Sequence, residues 1–189
     1  MWYEINYELD QGEFKNSIRR MIREAIKSKA VLPLPIYLNS DNASNIITSI
    51  ISQVNCDGCN APCCKSNPNG EPLDMALPEY ENLSGILGKE VLSNKGIKLV
   101  GNWAKVPMPC PFLKNDKCSI YQHRPLVCIL YPLEKPSTDQ SGRSVLSLAA
   151  VCPEARRMVK AAHMYYWRII RKMDELGPDY ITNKMKGGK

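Results

Sequence analysis

The sequence predicts a small, mainly α domain with irregular cysteine-rich loops and a small β-hairpin, stapled by metal. Three observations carry that expectation. Two long stretches place apolar residues at three- and four-residue spacing among many cations. Eight cysteines fall into a tight quartet and a spread quartet, and fourteen prolines with eleven glycines mark much of the remainder as loop.

Composition bounds the class. At 189 residues the chain is long enough to bury roughly two-thirds of its unfolded surface. Charged residues at 23% and hydrophobic residues at 44% are globular values, arguing against disorder and against a membrane protein. The first ten residues carry three acids and no apolar segment of signal-peptide length, so the expected location is cytoplasmic, with no membrane partner. A reducing compartment keeps thiols free, and the same even cysteine count that means disulfides in a secreted chain favours metal or redox chemistry there. The formal net charge of +6 counts cysteines as neutral. Two divalent ions on eight thiolates would bring it to about +2.

In chain order, residues 11–30 read as an amphipathic helix. Phe14, Ile18, Met21 or Ile22, and Ala25 or Ile26 form its apolar face among Lys15, Arg19, Arg20, Arg23, Lys27 and Lys29, and Pro33 and Pro35 stop it. The expected organisation is an N-terminal arm over 1–41, a cysteine-rich metal-binding domain over 42–176 and a flexible tail over 177–189. Residues 42–54 read as a short helix with a polar opening; its isoleucine run leaves a strand as the alternative.

That segment leads into Cys56, Cys59, Cys63 and Cys64, a C-x2-C-x3-C-C run. Two cysteines separated by two residues turn both sulfurs inward around a tight loop, the half-site used for zinc and for iron-sulfur clusters; Gly58 suits that turn. Adjacent cysteines in an extended segment diverge, so Cys63 and Cys64 are expected to serve two centres, or one of them to be a small buried apolar residue. A C-x3-C-x2-C register from Cys59 would need a cysteine at Ser66, which excludes the radical-SAM pattern.

Residues 66–76 are turn-forming, Pro78 begins a helix through Leu87 that Gly88 ends, and Gly96–Val106 alternates as a small hairpin. Next come Cys110-Pro111-Phe112-Leu113, Cys118, Ile120-Tyr121, Arg124-Pro125, Cys128, Tyr131-Pro132 and Cys152-Pro153, with a turn at Asn115-Asp116. Residues 154–176 form the clearest helix, striped by Ala155, Met158, Val159, Ala162, Tyr165 or Tyr166, Ile169 and Met173, expected to pack on the cysteine module and ended by Gly177-Pro178.

On those cysteine motifs, residues 52–155 resemble a family of small cytosolic zinc- or iron-chelating proteins named after a CxxCxxCC motif. The first spacing here is one residue longer than that name, and Ile129 stands where relatives often carry arginine. Some relatives carry the module within proteins linked to lysine methylation of flagellin, so the resemblance implies that the module can serve an enzyme.

The candidate metal ligands are Cys56, Cys59, Cys63, Cys64, Cys110, Cys118, Cys128 and Cys152, and the cofactor is an iron-sulfur cluster (4Fe-4S) or zinc, both of which all-thiolate sites suit. His123 is a further candidate ligand or an ordinary solvated turn residue. Arg124 is expected to donate to backbone or to ligated sulfur, and Tyr121 to lie in the core. The expected function is a metal-binding protein acting in redox, cluster handling or sensing. The alternatives are a metal-dependent modifying enzyme and a structural zinc module that presents basic helices to RNA or a protein partner. A protein partner is the main expectation; nucleic acid has only Arg156, Arg157, Lys160, Arg168, Arg171 and Lys172 with Tyr166 and Trp167 in its favour. No Ser-His-Asp set, glycine-rich phosphate loop or H-E-x-x-H motif occurs, so no catalytic residue is assigned.

Overall fold

The computed structural model describes residues 5–28, 30–37, 43–56, 59–65, 71–134, 137–138 and 144–177. The elements run α1 (Gln11–Ser28), β1 (Val31–Tyr37), α2 (Ala43–Ser52), α3 (Pro62–Lys65), β2 (Leu73–Ala76), α4 (Leu77–Leu87) and α5 (Lys89–Asn94). They continue with β3 (Lys98–Val100), β4 (Trp103–Val106), β5 (Leu113–Lys114), β6 (Lys117–Cys118), a 3-10 turn (Tyr121–His123) and α6 (Leu126–Leu130). The last three are β7 (Ser137–Thr138), β8 (Ser144–Ala149) and α7 (Pro153–Leu176). The expected turns at Gly58 and over Asn67–Gly70, and the tail beyond Gly177, lie outside the described residues.

The chain divides into two compact units, one of Met1–Asn42, Glu134–Ala150 and Ala155–Lys189, the other of Ala43–Leu133 and Val151–Glu154. In unit 1, α1 starts where the Asp10 carboxylate accepts the backbone N–H groups of Gly12 (2.6 Å) and Glu13 (2.9 Å). These bonds hold the Asp10 carboxyl below its ordinary pKa. Phe14, Ile18, Met21 and Ala25 are the buried face, as their spacing predicts. Phe14 stacks on Trp167 at 5.9 Å, and the Trp167 indole N–H donates to the Leu9 carbonyl at 3.1 Å. The buried stripe of α7 is Ala155, Met158, Val159 and His163. Of these, His163 is hydrogen-bonded to Tyr7 and Pro33 of unit 1.

Unit 2 is built on Met75, Tyr80, Leu83, Leu92, Ile97, Ala104, Val106, Phe112 and Ile120, with Cys110 and Cys118 packed against them. β3 and β4 form the expected hairpin, Val100 opposite Trp103, around Gly101 at φ 58°. Glycine adopts that left-handed conformation without steric cost. Gly88, at φ 92°, ends α4 with its N–H on the Ser84 carbonyl (2.9 Å).

The mainly α expectation with one hairpin is corrected by three sheets, of orders β1-β8-β7, β2-β4-β3 and β5-β6. Pro33 and Pro35, read as helix stops, lie within β1, an edge strand whose register slips between Pro33 and Tyr37. An edge strand tolerates residues that donate no ladder bond. β8 is the centre of its sheet, and Val145 to Ala149 are all buried, so it shows no period-two alternation. β2 falls within the stretch read as turn and extends the predicted hairpin to three strands.

Candidate metal centre

All eight cysteines belong to unit 2, and none is joined in a disulfide. Cys56 follows α2, and the Cys59 N–H reaches the Cys56 carbonyl at 3.4 Å. Asn60 and Ala61, at φ 56° and 46°, then turn the chain sharply. Asparagine tolerates that region; for alanine it costs about 1 kcal/mol. Pro62 opens the short α3, where a ring without an N–H removes no helix bond. Cys63 and Cys64 therefore lie on a helical turn and not on the extended segment expected from the sequence. Their sulfurs are 3.9 Å apart, on neighbouring faces of the turn.

The tight quartet meets the spread one at Cys64. Its carbonyl accepts the Cys110 N–H at 2.7 Å, and the two thiols shift each other's ionisation. Cys118 is held by the β5–β6 hairpin opposite Leu113, where Asn115 and Asp116 (φ 51° and 58°) form the tight two-residue turn. Cys128 sits on α6, its N–H on the Pro125 carbonyl at 2.9 Å. The first turn of α6 is tied to α4 by one residue. Glu79 accepts the Ala76 N–H (3.0 Å) with one carboxylate oxygen and the Leu126 N–H (2.5 Å) with the other. Glutamate at the third position of a proline-opened helix was the available signal for the first bond, and nothing local in the sequence encodes the second.

The electrostatics bind four of these sulfurs into one neighbourhood. The Cys110 hydrogen bond favours the Cys64 thiolate, but the Cys63 thiol and burial together outweigh it and push Cys64 up to about 12. Cys110 is raised by its hydrogen bond to Cys64 and by burial. Burial raises Cys118, with Cys110 adding to it. Burial pushes Cys128 up to about 12, reinforced by Cys110, Cys64 and Cys118, while Arg124 acts against the rise at both Cys118 and Cys128. Apart from the help that Cys110 gives Cys64, the thiols make one another harder to ionise. A cation among them reverses that relation, since it stabilises every thiolate at once.

Among the described residues, no group of three or more His, Cys, Asp or Glu side chains is placed so that it could hold a metal ion. By chemistry the donors suit a thiophilic metal: Cys64, Cys110, Cys118 and Cys128 shift one another's ionisation, and Arg124 favours the thiolate at Cys118 and Cys128. Cys63 adjoins the set through Cys64. Cys56 and Cys59 precede it on the chain, and Cys152 is buried in the Val151–Glu154 segment of the same unit.

Arg124 is placed as expected, its Nε donating to the Tyr121 carbonyl at 3.0 Å. Tyr121 is not in the core: it is 43% exposed, and the guanidinium stacks on its ring, 3.7 Å from the centroid. His123 is exposed in the 3-10 turn.

A family model described as "Putative zinc- or iron-chelating domain", CxxCxxCC, matches residues 55–153, just over half of the chain. No curated protein and no solved structure matches it.

Proposed function

The chain belongs to the CxxCxxCC family of zinc- or iron-chelating domains, and from that premise we propose a protein that holds a 4Fe-4S cluster on cysteine thiolates and acts in redox, cluster handling or sensing. The observation that carries the reading is the meeting of Cys64 with Cys110, Cys118 and Cys128. A cluster on such a set would supply one-electron chemistry. The cysteines would hold it as thiolates, Cys110 and Cys118 packed against the core and Arg124 favouring the thiolate at Cys118 and Cys128. Zinc on the same sulfurs is the alternative, and would make the module structural.

The eight cysteines allow two sets of four. In this reading Cys63 and Cys64 are the seam between them, one thiol facing each set from adjacent positions of a single helical turn. Among the described residues no helix is long and apolar enough to cross a membrane, and a reducing compartment suits the eight thiols.

Anaerobic purification followed by metal analysis and an absorption spectrum tests the proposal. The expected protein is brown, with several irons and a broad visible charge-transfer band. A colourless protein with stoichiometric zinc would replace the cluster by the structural alternative. Cys128→Ser is expected to lose one set and spare the other; loss of all metal in both Cys63→Ser and Cys128→Ser would point to one shared centre.

A further inference from the structure

We propose that the cavity beside Arg124 is a binding site for a small oxyanion, a carboxylate or phosphate group, gripped by the outer edge of the guanidinium. The cavity lies within unit 2, has a volume of about 160 Å³, and is lined by Glu79, Asn82, Leu83, Gln122, His123 and Arg124 among others. That is room for several water molecules, and so for one group of this size.

Arg124 is prepared for such a ligand in two ways. Stacking on Tyr121 fixes the plane of the guanidinium, and the Nε bond to the Tyr121 carbonyl fixes its rotation within that plane. Neither contact uses the Nη1–Nη2 edge, which is the fork that matches a planar carboxylate or two phosphate oxygens. Among the described residues no carboxylate pairs with it. Glu79, the acid in the lining, does not serve as its partner, because its two oxygens already accept the Ala76 and Leu126 N–H groups. Those two donors also offset part of the negative charge that an incoming anion meets there. The Asn82 and Gln122 amides and the His123 ring are exposed polar groups in the same lining and add potential donors for an anion there.

Arg124 thereby stands between two negative partners, the oxyanion in the cavity and the Cys118 and Cys128 sulfurs whose ionisation it favours. The site goes beyond metal chelation and is the same whichever metal unit 2 holds.

The test titrates the metal-loaded protein with inorganic phosphate and, separately, with acetate at constant ionic strength, following amide NMR shifts and measuring metal content in parallel. Saturable binding of at least one anion is expected, with shifts at Asn82 and Gln122–Arg124; which anion saturates separates tetrahedral from planar recognition. Arg124→Ala is expected to abolish binding, and Arg124→Lys, which keeps the charge but loses the fork, to weaken it about tenfold. Asn82→Ala, at an exposed helix position, provides an independent variant, expected to weaken binding several-fold. The site is overturned if neither anion saturates on the wild-type protein, or if Arg124→Lys and Asn82→Ala bind as wild type does. A wild-type preparation without metal would count against the chelating role alone, and the isotherms would still decide this one.

Discussion

The two units share one chain but divide its chemistry. Unit 1 holds 17 Lys and Arg against 11 Asp and Glu, and so carries the whole net charge of +6; unit 2 holds 8 of each and all eight cysteines. Unit 1 is organised by two long helices, α1 of 18 and α7 of 24 residues, whose buried faces carry Phe14, Ile18, Met158 and Val159. Among the described residues of unit 2 no helix exceeds the 11 residues of α4 and no strand exceeds four, and sulfur stands at the border of its core. One unit is held by apolar burial on helices long enough to present a continuous face. The other has elements too short for that, and places its thiols where burial and neighbouring thiols resist an ionisation that a cation would favour.

Metal removal is the largest lever on that contrast. Stripping the metal with a chelator is expected to cost unit 2 several kcal/mol, since deprotonated ligands scattered over the chain bind metal only when folded. Hydrogen exchange should quicken at the amides of Cys110, Cys118 and Cys128 while α1 and α7 keep their protection. Unchanged exchange at those three amides after verified metal loss would erase the distinction drawn between the units.

How much of this was legible follows from the same contrast. The faces of α1 and α7 are readable because each buries one stripe of a long helix, and period 3.6 survives in the sequence. His163, on the buried stripe of α7 beside Ala162, is not legible as core, because a histidine does not count as apolar until its two ring nitrogens are satisfied. β1 and β8 were illegible for opposite reasons. One contains prolines that an edge position excuses, and the other is buried on both faces and so lacks alternation. The cysteine positions were plain, but the pairing of Cys64 with Cys110 joins residues 46 apart, and the helical turn that brings Cys63 to Cys64 is set by Pro62 and two left-handed residues rather than by any cysteine spacing.

His163 gives the next lever, now on unit 1. Its Nδ1 accepts the Tyr7 hydroxyl at 2.8 Å and its Nε2–H donates to the Pro33 carbonyl at 3.0 Å. Burial lowers its pKa to about 4, only partly opposed by the Pro33 bond. The unfolded chain takes up this proton near pH 6.5 and the folded one resists until about pH 4, so unit 1 loses stability as pH falls through that window, by about 3 kcal/mol. Glu134, raised by burial, contributes in the opposite sense and reduces the net slope. Denaturation followed at α1 and α7 between pH 7 and pH 4.5 should show the loss, and His163→Gln should flatten it; an equal slope in that variant would assign the effect to other groups.

The smallest effect tests how closely unit 2 couples its few structural bonds to its sulfurs. Glu79 caps α4 and also holds the first N–H of α6, two residues before Cys128. Glu79→Ala removes both acceptors and is expected to cost about 1–2 kcal/mol, while Glu79→Gln, which keeps an acceptor but loses the charge, should cost less than half of that. Were Glu79 only a cap, the two variants would retain metal equally. Because the Leu126 bond sets where α6 begins, Glu79→Ala should instead loosen Cys128 and release metal to a competing chelator about tenfold more readily than wild type, with Glu79→Gln in between. Equal retention in all three proteins would leave α6 positioned by the core alone, and the contrast with unit 1 would then rest on the sulfurs themselves.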